Sequence, residues 1–312
     1  MARYLVTGGA GFIGSNIAEA LLERGEDVVV LDNLSTGYER NIDHLRGKLT
    51  FIKGDIRDAE VVRGALAGVD YVLHEAALAS VPRSIEDPVL VTDVNVRGTL
   101  VMLEEARRAG VKRFVYAASS SAYGDTETLP KVESMSPKPL SPYAASKLTG
   151  EYYCAVYARV YGLSTVSLRY FNIFGPRQDP KSQYAAVIPI FVTHLLAGTR
   201  PTIFGDGEQS RDFTFVENVV EANIRASRCE RARGETVNIG CGEHYTLNQL
   251  FAEMQGIIGG AHPPHYAPPR AGDVRHSHAD ISAASALFGY SVRIPFSEGL
   301  RRTIQWYRAV RG

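Results

Sequence analysis

Through the first half of the chain, short apolar runs alternate with helix-length amphipathic segments. Runs rich in Val, Leu and Tyr at 4–6, 28–31, 50–52, 71–74, 114–118 and 165–168 read as strands. Amphipathic segments beginning near Phe12, Ala59, Val89 and Tyr143 read as the helices between them. This order predicts an α/β fold, a doubly wound parallel sheet covered by helices. Between Gly124 and Pro142 the stretch GDTETLPKVESMSPKPLSP can continue neither a strand nor a helix and is expected to be a loop over a site. Beyond Phe171 the alternation fails, and turn-rich stretches such as FGPRQDP and GTRPTIFGDGEQSRDF separate short helical pieces. We therefore expect a first lobe over 1–171 and a smaller binding lobe over 172–312, with a segment near 213–242, including a helix starting about Asn218, returning to the first lobe.

Charge and cysteine content narrow the partners. The 34 Lys and Arg balance 34 Asp and Glu, so no net field attracts nucleic acid or an anionic membrane, although local cations can still grip a phosphate. The longest apolar stretch, 185–192, is far too short to span a bilayer. The 3 cysteines, Cys154, Cys229 and Cys241, have no metal-ligand spacing. A strand immediately at 4–6 leaves no room for a signal peptide. The expectation is a cytoplasmic protein without a metal.

The sequence VTGGAGFIG sets Gly8, Gly11 and Gly14 at G-x-x-G-x-x-G spacing between the first strand and the first helix. In a Rossmann-type turn the first glycine makes the bend, the second admits a pyrophosphate, and the third lets helix and strand pack closely. Asp32 ends the second strand, where a carboxylate can hold an adenosine ribose. That carboxylate would repel a 2′-phosphate, and LDNLSTG offers no cation to offset it, so NAD is expected rather than NADP. Asp55 and Ile56, in GDIRD after the third strand, are expected beside the adenine.

SPYAASK puts Tyr143 and Lys147 four apart on one helical face, with Ser141 and Pro142 marking the helix start. A neighbouring ammonium and a cationic nicotinamide ring would lower the phenol toward working pH and make Tyr143 a base. FVYAASSSAYG delivers Ser119, Ser120 and Ser121 to the C-terminal end of the fifth strand, where ligands sit in open α/β sheets.

These motifs together resemble the extended short-chain dehydrogenase/reductases. LASVPRSIEDP, AASSSAYGD, LSPYAASK, LRYFNIFGPRQDP, YAAVIP, GDGEQSRDF and GDVRHS narrow the likeness to the UDP-hexose 4-epimerases, above all the branch acting on UDP-N-acetylglucosamine. The resemblance implies a catalytic set in which Ser119 bridges, Tyr143 is the base, and Lys147 holds the nicotinamide ribose. It adds Phe12, Ile13, Asn33, Thr36, Gly37, Ala76, Ala77, Asn95 and Tyr170 to the NAD site. For the UDP-sugar it implies Ser80, Ser84, Ser120, Ser121, Asn172 and Val187, with Phe204 near uracil, Arg211 and Arg270 on the diphosphate, and Asp273 on a ribose. Ser277 stands where a small residue leaves room for a 2-acetamido group. The implied reaction interconverts UDP-N-acetylglucosamine and UDP-N-acetylgalactosamine, with UDP-glucose and UDP-galactose as a second pair, through a transient 4-keto sugar. A homodimer is implied through the helix carrying YYCAVYARVY.

Three other readings compete. Nucleotide-sugar 4,6-dehydratases and UDP-glucuronate decarboxylases share the pattern up to the serines but need an acidic residue beside the bridging hydroxyl, where this chain has Ser120, Ser121 and Ala122. A non-catalytic NAD-binding scaffold would have no need of an intact Ser, Tyr and Lys set.

Overall fold

The computed structural model describes residues 1–180, 186–259, 263–269 and 274–311. Six strands arrive in the predicted order: β1 Arg3–Thr7, β2 Asp27–Asp32, β3 Thr50–Lys53, β4 Tyr71–His74, β5 Arg113–Ser119 and β6 Thr165–Tyr170. A seventh, Glu235–Ile239, lies outside β6, and the order across the sheet is Glu235–Ile239, β6, β5, β4, β1, β2, β3. Every pairing is parallel. Parallel strands need crossovers, which are supplied by helices including α1 Phe12–Glu23, α2 Ala59–Ala65, α3 Val81–Glu86, α4 Pro88–Thr92, α5 Gly98–Arg108 and α6 Pro142–Tyr161.

Successive strand residues face opposite sides, and here both sides are apolar because both are covered. Tyr4, Val6, Val28 and Val30 pack with Ile17 and Leu21 of α1 and with Val219 and Ala222 of the helix Val216–Ser227. Leu5, Val29, Leu31 and Phe114 pack with Val62, Leu103 and Cys154 on the other side. The segment expected to return therefore supplies both a covering helix and the edge strand. The second half has its own core of Phe174, Phe191, Phe213, Phe215, Leu250 and Phe296.

Two local departures bear on the site. The helix expected from Val89 is α4, then one turn of π-helix over Asp93–Arg97, then α5. Such wider turns often serve functional sites, and here the turn holds the buried Asn95. The loop after Gly124 is pinned at its middle, where Lys131 N–H donates to the His278 carbonyl at 2.7 Å and the Lys131 carbonyl accepts from Asn238 Nδ2 at 2.9 Å.

Candidate active site

At the end of β1 the chain turns through Gly8, whose φ of +66° favours glycine. A Cβ there would stand 2.8 Å from Ala76 N, and a Cβ on Gly14 would collide with the Gly8 carbonyl. The turn thus admits only glycine at both positions, and α1 starts with no side chain capping Gly11. A cavity of about 380 Å³ opens in front of it, lined by Gly8, Gly11, Phe12, Ile13, Gly14, Asp32, Asn33, Thr36, Ile56, Ala76 and Ala77. A bare helix N-terminus and a glycine cradle suit a diphosphate.

Asp32 is buried beside this cavity and accepts from Ala10 N at 3.0 Å and Leu34 N at 2.7 Å. Burial pushes its carboxyl up, and these two N–H groups oppose the shift. Gly37 packs directly against Asp32, where a Cβ would stand 2.9 Å from Oδ2. Asp55 is engaged elsewhere: Arg57 grips it at 2.8 and 2.9 Å, holding the carboxyl far below its ordinary range, and Asn33 Nδ2 donates to it at 2.9 Å. Asn95 is buried behind the site. Its Oδ1 accepts from Leu78 N at 2.8 Å and its Nδ2 donates to Ser146 Oγ at 3.0 Å, so it braces the 78 loop against α6 one turn from Tyr143.

Ser119 ends β5 and caps the following turn, accepting from Ser121 N at 3.2 Å and Ser121 Oγ at 2.8 Å. Ser141 caps α6 by accepting from Ala144 N at 3.1 Å, and Pro142 occupies its first turn. This start places Tyr143 beside Ser119, close enough for the serine hydroxyl to act on the phenol. Burial pushes the Tyr143 phenol up, and the Ser119 hydroxyl opposes it. The lowering expected from Lys147 is not among the influences on the phenol, so burial prevails. Lys147 is 3% exposed, its Nζ lies 4.6 Å from the Tyr116 ring centroid, and burial pulls its ammonium down to about 8 against the opposing charges of Glu75 and Glu151.

Tyr170 pairs with Ser119 across the sheet and reaches Glu75, donating to Oε1 at 2.7 Å. Glu75 lines the first cavity and was not among the expected residues. Its only signal in the sequence is an acid placed directly after β4, in HEAA beside Ala76 and Ala77.

A second cavity of about 460 Å³ is lined by Asn172, Val187, Phe204 and Arg211, and Ala186 borders both cavities. His194 and Gln209, which the sequence did not single out, also line it. Arg211 is anchored by donating to the carbonyls of Ser210 at 2.9 Å and Arg275 at 3.2 Å. Asn172 Nδ2 donates to Ser277 Oγ at 3.3 Å, so Ser277 sits beside a cavity wall. Ser80 caps α3 by accepting from Arg83 N at 3.2 Å. Ser84 must be corrected: it is fully buried and donates to the Val81 carbonyl at 2.6 Å, so no sugar reaches it. Arg270 and Asp273 lie outside the described residues.

Among the described residues no group of three or more His, Cys, Asp or Glu could hold a metal ion, and no helix is long and apolar enough to cross a membrane. On α6 the outer face exposes Tyr152, Val156, Val160 and Tyr161, while Cys154 and Tyr157 point to the core.

A model of the NAD dependent epimerase/dehydratase family matches residues 4–240. A UDP-glucose 4-epimerase of Mycolicibacterium smegmatis is 40% identical over 311 residues, covering 98% of each chain. Among solved structures, the UDP-glucose 4-epimerase of Thermotoga maritima with UDP-glucose superposes with a TM-score of 0.94 at 40% identity, covering 99% of this chain and 100% of that one. The UDP-N-acetylglucosamine 4-epimerase of Methanobrevibacter ruminantium, in complex with UDP-N-acetylmuramic acid, gives 0.93 at 38% identity, covering 99% of each.

Proposed function

Since the chain belongs to the NAD dependent epimerase/dehydratase family, we propose that it interconverts UDP-hexoses at C4′, with UDP-N-acetylglucosamine and UDP-N-acetylgalactosamine as the preferred pair and UDP-glucose and UDP-galactose as the second. The observation that carries this reading is the serine cluster at the end of β5. Ser119 lies beside Tyr143, and the next residues are Ser120 and Ser121 rather than the carboxylate that would assist loss of water or carbon dioxide.

Bound NAD would accept a hydride from C4′ and return it. The lining of the first cavity suits it, the glycine turn for its pyrophosphate and Asp32 for its adenosine ribose, and Lys147 would hold the nicotinamide ribose as in the family this chain resembles. Tyr143 takes the 4′-hydroxyl proton as C4′ becomes a ketone, and Ser119 bridges the phenol and that oxygen. Burial alone leaves Tyr143 a weak acid, so the positive ring would supply the field that makes it a base. In the second cavity Arg211 meets the diphosphate, Phe204 packs near uracil, and Asn172 reaches the sugar end. After the ketone turns over and the hydride would return to its other face, Tyr143 gives the proton back to the 4′ oxygen. Ser277 leaves space for an acetamido group.

Incubation with UDP-N-acetylglucosamine, UDP-glucose and their C4′ epimers, with product identification, tests the reading. Epimer formation without net oxidation is expected; a dehydrated or decarboxylated product overturns it. The exposed apolar row on α6 supports a homodimer built on that helix. Three free cysteines, two of them buried, fit the cytoplasm.

A further inference from the structure

The proposed reaction uses Ser119, Tyr143 and Lys147 but gives no task to Glu75, a carboxylate at the cavity wall. Its hydrogen bonds have a fixed polarity. Asn223 is fully buried, and its Nδ2 donates to the Val219 carbonyl at 2.9 Å and to the Tyr170 oxygen at 2.7 Å. The Tyr170 hydroxyl proton therefore points the other way, to Glu75 Oε1 at 2.7 Å. A donor locked in this sense favours the ionised carboxylate as acceptor.

The titratable groups around Lys147 and Glu75 leave one cation acting on Glu75. From α6 come Lys147, Glu151, Tyr143 and Cys154; from β5, Tyr116; from β6, Arg169 and Tyr170; from β4, His74. Arg169 already grips Glu151 in a buried bidentate pair at 2.7 and 3.0 Å. The tyrosines and Cys154 are all pushed up by burial, and His74 is pulled down to about 3, so these groups stay neutral near pH 7. Lys147 remains as the cation whose charge acts on Glu75.

The geometry points to Glu75 as a counter-charge shared by Lys147 and the nicotinamide ring, a positioning residue that favours the oxidised cofactor and keeps Lys147 protonated. This rests on the reading of the first cavity as an NAD site. A cationic ring entering beside Lys147 would otherwise place two like charges together in a dry site. Burial pushes Glu75 up to about 7, and Tyr170 and Lys147 oppose that shift; an added positive ring strengthens the opposition.

Glu75→Gln keeps the size and an acceptor for Tyr170 while removing the charge. The test follows reduction of the protein-bound NAD by sodium cyanoborohydride at 340 nm, after cofactor occupancy has been measured on the wild type. The variant should be reduced about tenfold faster, one charge interaction corresponding to roughly one pKa unit. The alkaline limb of its turnover profile should also move down by about one unit as Lys147 loses its proton more readily. A reduction rate equal to that of the wild type overturns the proposal. Should the Gln variant purify without cofactor, Tyr170→Phe, which strips the carboxylate of its donor, is measured in the same way. A smaller acceleration supports the assignment and an unchanged rate overturns it. A wild type holding no NAD would instead overturn the function reading itself.

Discussion

Tyr143 sits between burial, which pushes its phenol up, and the Ser119 hydroxyl, which stabilises the phenolate. Phenylalanine at 143 keeps the packing and removes the proton acceptor, so turnover should fall by about 10³-fold or more while the bound cofactor remains, read by a rate assay beside cofactor content. Lys147 is pulled down to about 8. Turnover depends on its charged form, so the wild-type rate should decline as pH rises past about 8, and the profile of kcat against pH checks this. At Ser277, beside Asn172, a tyrosine fills the space assigned to the acetamido group. Ser277→Tyr should lower kcat/KM for UDP-N-acetylglucosamine about a hundredfold, on the scale of pocket discrimination by shape, and spare UDP-glucose; an unchanged ratio places the determinant elsewhere.

Single side chains also hold whole elements in place. Asp212 is fully buried and accepts from Cys241 N at 2.7 Å, Gly242 N at 3.1 Å and Ala279 N at 3.1 Å, tying the chain after the seventh strand to the segment carrying Ser277. Asp212→Ala should lower stability by about 2–4 kcal/mol in a denaturant titration, since buried N–H groups lose their acceptor. His74 joins β1 to α5: Nδ1 lies 2.7 Å from Thr7 Oγ1 and Nε2 3.1 Å from Thr99 Oγ1. Because Thr99 donates to the Asn95 carbonyl at 2.6 Å, the ring proton is on Nε2 and the imidazole is neutral. Its pKa falls from 6.5 to about 3 on folding. The unfolded chain then binds the extra proton, so the stability contribution is full above about 6.5 and is lost as pH falls toward 3. His74→Gln keeps a donor and an acceptor and should flatten that slope in thermal melts between these pH values.

The glycine turn, Asp32, the serines and the Tyr143 helix were legible in the sequence because each is a local pattern with one steric or capping cause. Glu75, Asn223 and the seventh strand were not, because their roles depend on pairings between residues as distant as Glu75 and Tyr170 or Asn223 and Tyr170. Ser84 was misplaced for a local reason: the resemblance put its hydroxyl at the sugar, but the helix Val81–Glu86 turns it inward.

At the scale of the molecule, the outer row of Tyr152, Val156, Val160 and Tyr161 on α6, with Ile85 and Val89 exposed on α3 and α4, which pack against α6, is the surface assigned to a second copy. Val156→Asp should shift the protein from twice the chain mass to the chain mass in sedimentation; a wild type already monomeric removes the dimer. The sheet makes a further demand on the chain. β6, which carries Tyr170 at its end, has β5 on one side and Glu235–Ile239 on the other, and its covering helix Val216–Ser227 also comes from the second half. During synthesis, the strands around the cofactor cavity stand with an open edge until residue 239 has emerged, by which time Val187 and Arg211 of the second cavity have emerged as well. The growing chain therefore passes through no stage at which a finished redox half is free of the half that chooses what it acts upon.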